Sequence, residues 1–242
     1  MHQDRRHKTS KKLFVDSNMK IDKSDWHEVF SASLGKTMAN QLAFSELIAK
    51  RENWKISFGK GIISFGESDF PIQFLGNESI SPHTWLWGWE NINNFSDDIL
   101  ETAKSAKEIG AAWNLEQLTI PEFQVSDTLD GHAISIVTAS ICTDKVCYYR
   151  CPHTDGAFFV ALYNLPDEVF APTGAVTFAD VVTQCLKTYA VDSHIFIKSF
   201  LYQNDTPYEE DGDSIIAHFE QNLKIDFEKA DGDWRISHIK TV

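Results

Sequence analysis

The chain has 242 residues, 43% of them hydrophobic and 24% charged, a balance that excludes collagen-like, coiled-coil and wholly disordered architectures and allows a sizeable core. Its net charge is −13, unevenly placed: residues 1–23 hold seven Lys and Arg against three Asp, a local +4, and the remaining 15 basic and 32 acidic residues give −17. So acidic a body repels phosphate backbones, which argues against nucleic-acid binding, and no apolar run approaches the roughly 18 residues of a membrane span.

The first residues carry no apolar segment behind their Arg and Lys, so no secretory leader is read. Four cysteines over this length suit a reducing cytoplasm better than a disulfide scaffold. Residues 1–23, with Arg5-Arg6-His7-Lys8 and Lys11-Lys12, are expected to be a disordered basic tail. Ser24 is placed to cap a long helix over residues 25–50, because Trp26, Phe30, Leu34, Met38 and Leu42 recur every four residues. From Trp54 the period changes to two, giving strands over 54–58, 63–65, 71–78 and 83–90, with a turn at Gly59-Lys60-Gly61. Short connections predict an antiparallel meander sheet covered by that N-terminal helix. Ser96, Asp97 and Asp98 open a helix that runs to Trp113, and Pro121 breaks the next segment. Residues 127–141 complete a helix pair, apolar all round and therefore central. Residues 146–150 and 157–163 read as strands joined across Pro152 to Gly156. A helix follows over 177–189, whose continuation toward Phe200 conflicts with Val191, Ile195 and Ile197. The acidic run 209–213 reads as a solvated turn. Residues 214–219, 223–228 and 234–239 form a second antiparallel strand set, the last two around Asp231-Gly232. The predicted class is α+β, one domain over residues 24–242, with 24–120 and 121–242 as its sublobes.

Chemistry-bearing patterns are few. Cys142, Cys147, Cys151 and His153 resemble zinc spacing, but gaps of four and three residues lack the paired knuckles of a tetrahedral site, so no metal and no cofactor are expected. No nucleophile elbow, Walker loop, His-Glu-x-x-His or dinucleotide fingerprint occurs. His153-Thr154-Asp155-Gly156 is the most site-like patch: His153 and Asp155 are the candidate catalytic pair if the loop sets imidazole beside carboxylate, and otherwise Asp155-Gly156 is a plain turn. Trp85, Trp87 and Trp89 share one face of a strand, either as a stacking platform for a ligand or as the core face under the helix. Leu86, flanked by Thr84 and Gly88, makes a poor core face, so the tryptophan side is the one expected to be covered.

Residues from Trp54 through Gly61, then Ile63, Phe65, Gln73, Leu75-Gly76 and Thr84-Trp85-Leu86-Trp87-Gly88-Trp89-Glu90-Asn91, resemble an uncharacterised bacterial family, a domain of unknown function. Its pattern is a tryptophan hairpin followed by Leu-Gly and Thr-Trp-Leu-Trp-x-Trp-x-Asn. Ala103, Gly110, Leu118, Ser199-Phe200-Leu201, Asn204 and Pro207-Tyr208-Glu209 extend the likeness over most of residues 45–240. The resemblance implies no activity and carries over no catalytic residue. The expected function is non-catalytic binding in the cytoplasm, of a basic protein or a small ligand. The alternative is a small hydrolase using His153 and Asp155 with the nearby cysteines, which a cleft lined by a hydrogen-bonded His153 would favour.

Overall fold

Asp25, one residue later than the sequence pattern places the cap, opens the first helix, α1 (Trp26–Phe44). Its carboxylate accepts from the backbone N–H groups of His27 and Glu28 at 2.7 and 3.2 Å, while Ser24 turns back to Asp22. The computed structural model describes residues 19–49, 53–142, 145–230 and 233–242; the basic stretch 5–12, the rest of residues 1–18 and the Asp231-Gly232 turn lie outside them. α1 stops at Phe44 in a π-turn, Ser45–Ala49, short of the predicted end.

The larger sheet has seven antiparallel strands: β1 (Trp54–Ser57), β2 (Ile62–Phe65), β3 (Ser68–Ser79), β4 (Thr84–Trp87), β5 (Glu122–Gln124), β6 (Cys147–His153) and β7 (Gly156–Leu162). β3 is its spine. The first residues of β3 pair with β2 and its last with β4, and β7 runs beside it from Ile72 to Ser79. The turn between β6 and β7 is tighter than predicted, with only Thr154 and Asp155 between the strands. A smaller antiparallel sheet holds β8 (Tyr208–Asp211), β9 (Ser214–Ala217), β10 (Leu223–Ala230) and β11 (Asp233–Thr241) in the order β11-β10-β9-β8. The acidic run read as a turn is therefore mostly strand β8. Its charges suit an edge strand, where they discourage pairing with another chain.

Four further helices complete the α+β fold: α2 (Glu101–Trp113), α3 (Gly131–Cys142), α4 (Ala175–Thr188) and α5 (Ser193–Gln203). Ser96 introduces a 3-10 turn, Asp97–Ile99, rather than α2 itself. α3 begins later than predicted because Asp130 caps it, accepting from the Ala133 N–H at 2.8 Å. α5 is a helix in spite of its β-branched residues. Asp192 caps it and Phe196, Ile197, Phe200 and Leu201 bury on one side, so packing outweighs propensity. Among the described residues no helix is long and apolar enough to cross a membrane.

α1 packs on α3, α4 and α5, and reaches the sheet at β6. There the Gln41 side chain stands in for a neighbouring strand, donating to the Tyr148 carbonyl and accepting from the Tyr148 N–H, both at 2.9 Å. Alternation along β7 separates two cores. Ala157, Phe159 and Ala161 join Trp85, Trp87 and the helices, whereas Val160 and Leu162 join Phe44, Phe65, Ile72, Phe74, Cys147 and Cys151 on the opposite face.

Candidate functional site

Strand register places Asn77 of β3 between Leu86 of β4 and Phe158 of β7, so three side chains stand in a row on the sheet face opposite the helices. His153, at the end of β6, adds an imidazole beside them. Residues 91–95 fold over this row as a self-clamped loop. The Asn91 amide donates to the Phe95 carbonyl at 2.9 Å and accepts from the Phe95 N–H at 2.7 Å, with Asn91 and Asn94 both left-handed at φ 50° and 53°. The result is a cavity of about 110 Å³ floored by Phe74, walled by Leu86, Trp87 and Phe158, and rimmed by Ile92, Asn93 and His153. Ile92, at the tip of the loop, is 68% exposed.

The His153 ring is fixed by its surroundings. Nε2 lies 2.9 Å from Asn77 Oδ1, an atom that only accepts, so Nε2 carries the proton. Nδ1 is thereby left as the acceptor, and it receives the backbone N–H of Asp155 at 3.3 Å. The ring sits 4.4 Å from that of Phe158, tilted by 33°. Asp155 meets the ring through its backbone, and the residue is exposed.

Of the three tryptophans, Trp85 and Trp87 are buried, and Trp87 alone reaches the cavity. Trp89 leaves the predicted strand face. β4 ends at Trp87 and a 3-10 turn, Gly88–Glu90, follows, with Trp89 half-buried, stacked on Trp87 at 6.4 Å and covered by the Lys107 ammonium at 3.6 Å. Two glycines permit this packing. A Cβ on Gly88 would stand 2.7 Å from the Phe74 carbonyl oxygen, and one on Gly76 would run into the Trp85 ring.

Cys147 and Cys151 share one face of β6, as alternation predicts, and point into the second core. Burial pushes the Cys151 and Cys185 thiols up to about 12 and Cys147 higher still, so none of them offers a thiolate near neutrality. Cys142 is half-buried at the end of α3. Among the described residues no group of three or more His, Cys, Asp or Glu side chains is placed to hold a metal ion.

A second polar constellation escaped the sequence reading. His132 opens α3 with Nδ1 3.1 Å from the Tyr148 hydroxyl, and the Glu78 carboxylate accepts the Gly131 N–H at 2.6 Å. Burial holds the His132 pKa below its ordinary value; Asp130 and Glu78 oppose the shift, and Arg150 reinforces it. Burial also raises the Tyr148 hydroxyl. Asp130-Gly131 before an apolar run is a helix-start signal that could have placed His132 at a helix end. Its approach to Glu78, Tyr148 and Arg150 depends on strand register and could not have been read.

A family model, described as a family of unknown function (DUF6882), matches residues 27–165, the stretch from α1 through β7 that carries the whole cavity. The likeness noted from Ser199 to Glu209 lies beyond the matched residues. No curated protein and no solved structure matches the chain.

Proposed function

We propose that this chain, which belongs to the family of unknown function matched over residues 27–165, is a binding protein that holds a small ligand in the cavity beside His153 and does not convert it. His153 does line a cavity, a circumstance that by itself favours a hydrolase. The observation that carries the binding reading is how the ring is held. Its one lone pair faces the Asp155 backbone N–H and its one N–H faces Asn77, so neither nitrogen is free to take a proton from a nucleophile. The Cys151 thiol on the same strand is buried and held protonated. Apolar walls with Asn77, Asn91 and His153 already held by hydrogen bonds describe a preformed pocket.

The acidic excess outside residues 1–23 supports a cytoplasmic protein that avoids nucleic acid and whose protein partners are basic. One apolar cluster reaching from Val29 in α1 to Ile239 in β11 supports a single domain over residues 24–242 behind a basic tail.

A thermal-shift screen of uncharged and charged fragments against the full chain tests the binding reading. Stabilising fragments are expected, and they should lose their effect in Leu86→Trp, which fills the cavity. An absence of stabilising fragments, or hits indifferent to that substitution, refutes it. Turnover of p-nitrophenyl acetate that disappears in His153→Ala would instead establish the hydrolase.

A further inference from the structure

The walls of this cavity select among ligands, a selectivity that rests on its role as a binding site. Phe74 and Phe158 belong to an aromatic array with Phe58 and Phe95. Phe58 stacks on Phe95 at 4.7 Å, while Phe58–Phe74, Phe58–Phe158, Phe74–Phe95 and Phe74–Phe158 meet edge-to-face at 5.1–5.8 Å. A ring seated against Phe74, Phe158 and Trp87 would extend that array with the same geometry, which favours an aromatic group over an aliphatic one of equal size.

Size and charge narrow the class further. The cavity measures about 110 Å³. An apolar cavity of roughly 150 Å³ encloses benzene, so this one takes a single ring with its edge at the mouth, and the second ring of a fused pair would have to lie outside it. Among the described residues no Asp, Glu, Lys or Arg lines it. A charged ligand would therefore lose its hydration with no counter-charge in return. Asn93 is exposed at the mouth and its amide makes no hydrogen bond within the described residues, which leaves it to meet a ring substituent. The Asn91 clamp fixes the loop before any ligand arrives, so little ordering cost accompanies binding.

We infer that the cavity formed by Phe74, Leu86, Trp87, Phe158 and the 91–95 loop is a receptor for one uncharged aromatic ring bearing a small polar substituent. The ring is either a free phenol-like molecule or one displayed on a peptide.

Protein-observed NMR of the full chain, titrated with phenol, benzoate, benzylamine, cyclohexanol and N-acetyltyrosine amide, tests the assignment. Phenol is expected to shift the Trp87 indole N–H and the backbone amides of Asn77 and His153. Benzoate, benzylammonium and cyclohexanol should bind on the order of ten-fold more weakly or worse. Leu86→Phe should abolish the phenol shifts. Ile92→Ser, at an exposed position that leaves folding intact, should weaken them. Binding of N-acetyltyrosine amide as tight as phenol identifies a peptide-borne ring, and binding of phenol alone a free molecule; both support the class. Charged or aliphatic probes matching phenol at these resonances would overturn the class while leaving the binding reading in place. So would no response to phenol in a protein that other fragments stabilise. Phenol shifts that survive both substitutions would overturn the assignment of the ring to this cavity. If no fragment of any kind stabilises the chain, the binding reading falls as well.

Discussion

Trp87→Ala is the most informative single change, because Trp87 is shared by the first core and the cavity wall. The side chain is 1% exposed, meets Trp85 edge-on at 5.5 Å, carries the stacked Trp89 on its other side, and donates Nε1–H to the Gln117 carbonyl at 3.0 Å. Deleting so large a buried ring costs about 3–5 kcal/mol, and loss of the hydrogen bond adds about 1 kcal/mol. The sum, at least about 4 kcal/mol, is a large share of the roughly 5–15 kcal/mol that holds a domain folded. With a urea dependence of about 3–4 kcal/mol/M, the midpoint should fall by about 1 M at unchanged slope. Trp87→Phe, which keeps a ring in place and loses only the indole and its bond, should cost about 1–2 kcal/mol. Trp89→Ala, at a half-buried position, should cost less than Trp87→Ala. The reasoning is refuted if Trp87→Ala costs under about 1 kcal/mol, the range of surface changes, or if Trp89→Ala costs as much.

Gly76→Ala drives a Cβ into the Trp85 ring and to 2.6 Å from the Leu86 carbonyl oxygen, and should cost about 2–3 kcal/mol in urea unfolding, whereas Gly59→Ala, with open space around it, should stay within about 0.5 kcal/mol. The Cys151 and Cys185 thiols are held near 12 in the folded chain against an ordinary 9.0, so the stability they confer is intact below pH 9 and declines as the pH rises from there toward 12. Unfolding midpoints measured from pH 8 to 11 should show this fall, reduced in Cys185→Ala. His132 behaves in the opposite sense. Its folded pKa lies below 6.5, so its contribution is present above that value and is lost on acidification. An NMR titration midpoint at or above 6.5 would contradict the burial assigned to it.

Local pattern carried much of the fold. The four-residue recurrence from Trp26 to Leu42 and the two-residue recurrence from Trp54 placed α1 and the first strands, because a regular element repeats its apolar contacts at its own period, although α1 is buried all round from Val29 to Gly35. The tryptophan burial at 85 and 87 was legible for the same reason. What the pattern could not reach were choices made by contacts distant in sequence. α5 is helical because α1 offers it a surface, and β8 is a strand because β9 pairs with it. Trp89 leaves the strand because Gly88 lies against the Phe74 carbonyl. The site divides the same way. The sequence by itself determined that His153 sits at the edge of a tight turn next to Asp155 and Gly156, since turn chemistry is local. Only the tertiary structure decided that Asn77, 76 residues away, accepts the hydrogen bond from the imidazole N–H, and that the 91–95 loop closes over Phe158. Those partners are set by the register of β3 against β4 and β7, and register is fixed by the packing of two cores that no short stretch of sequence contains.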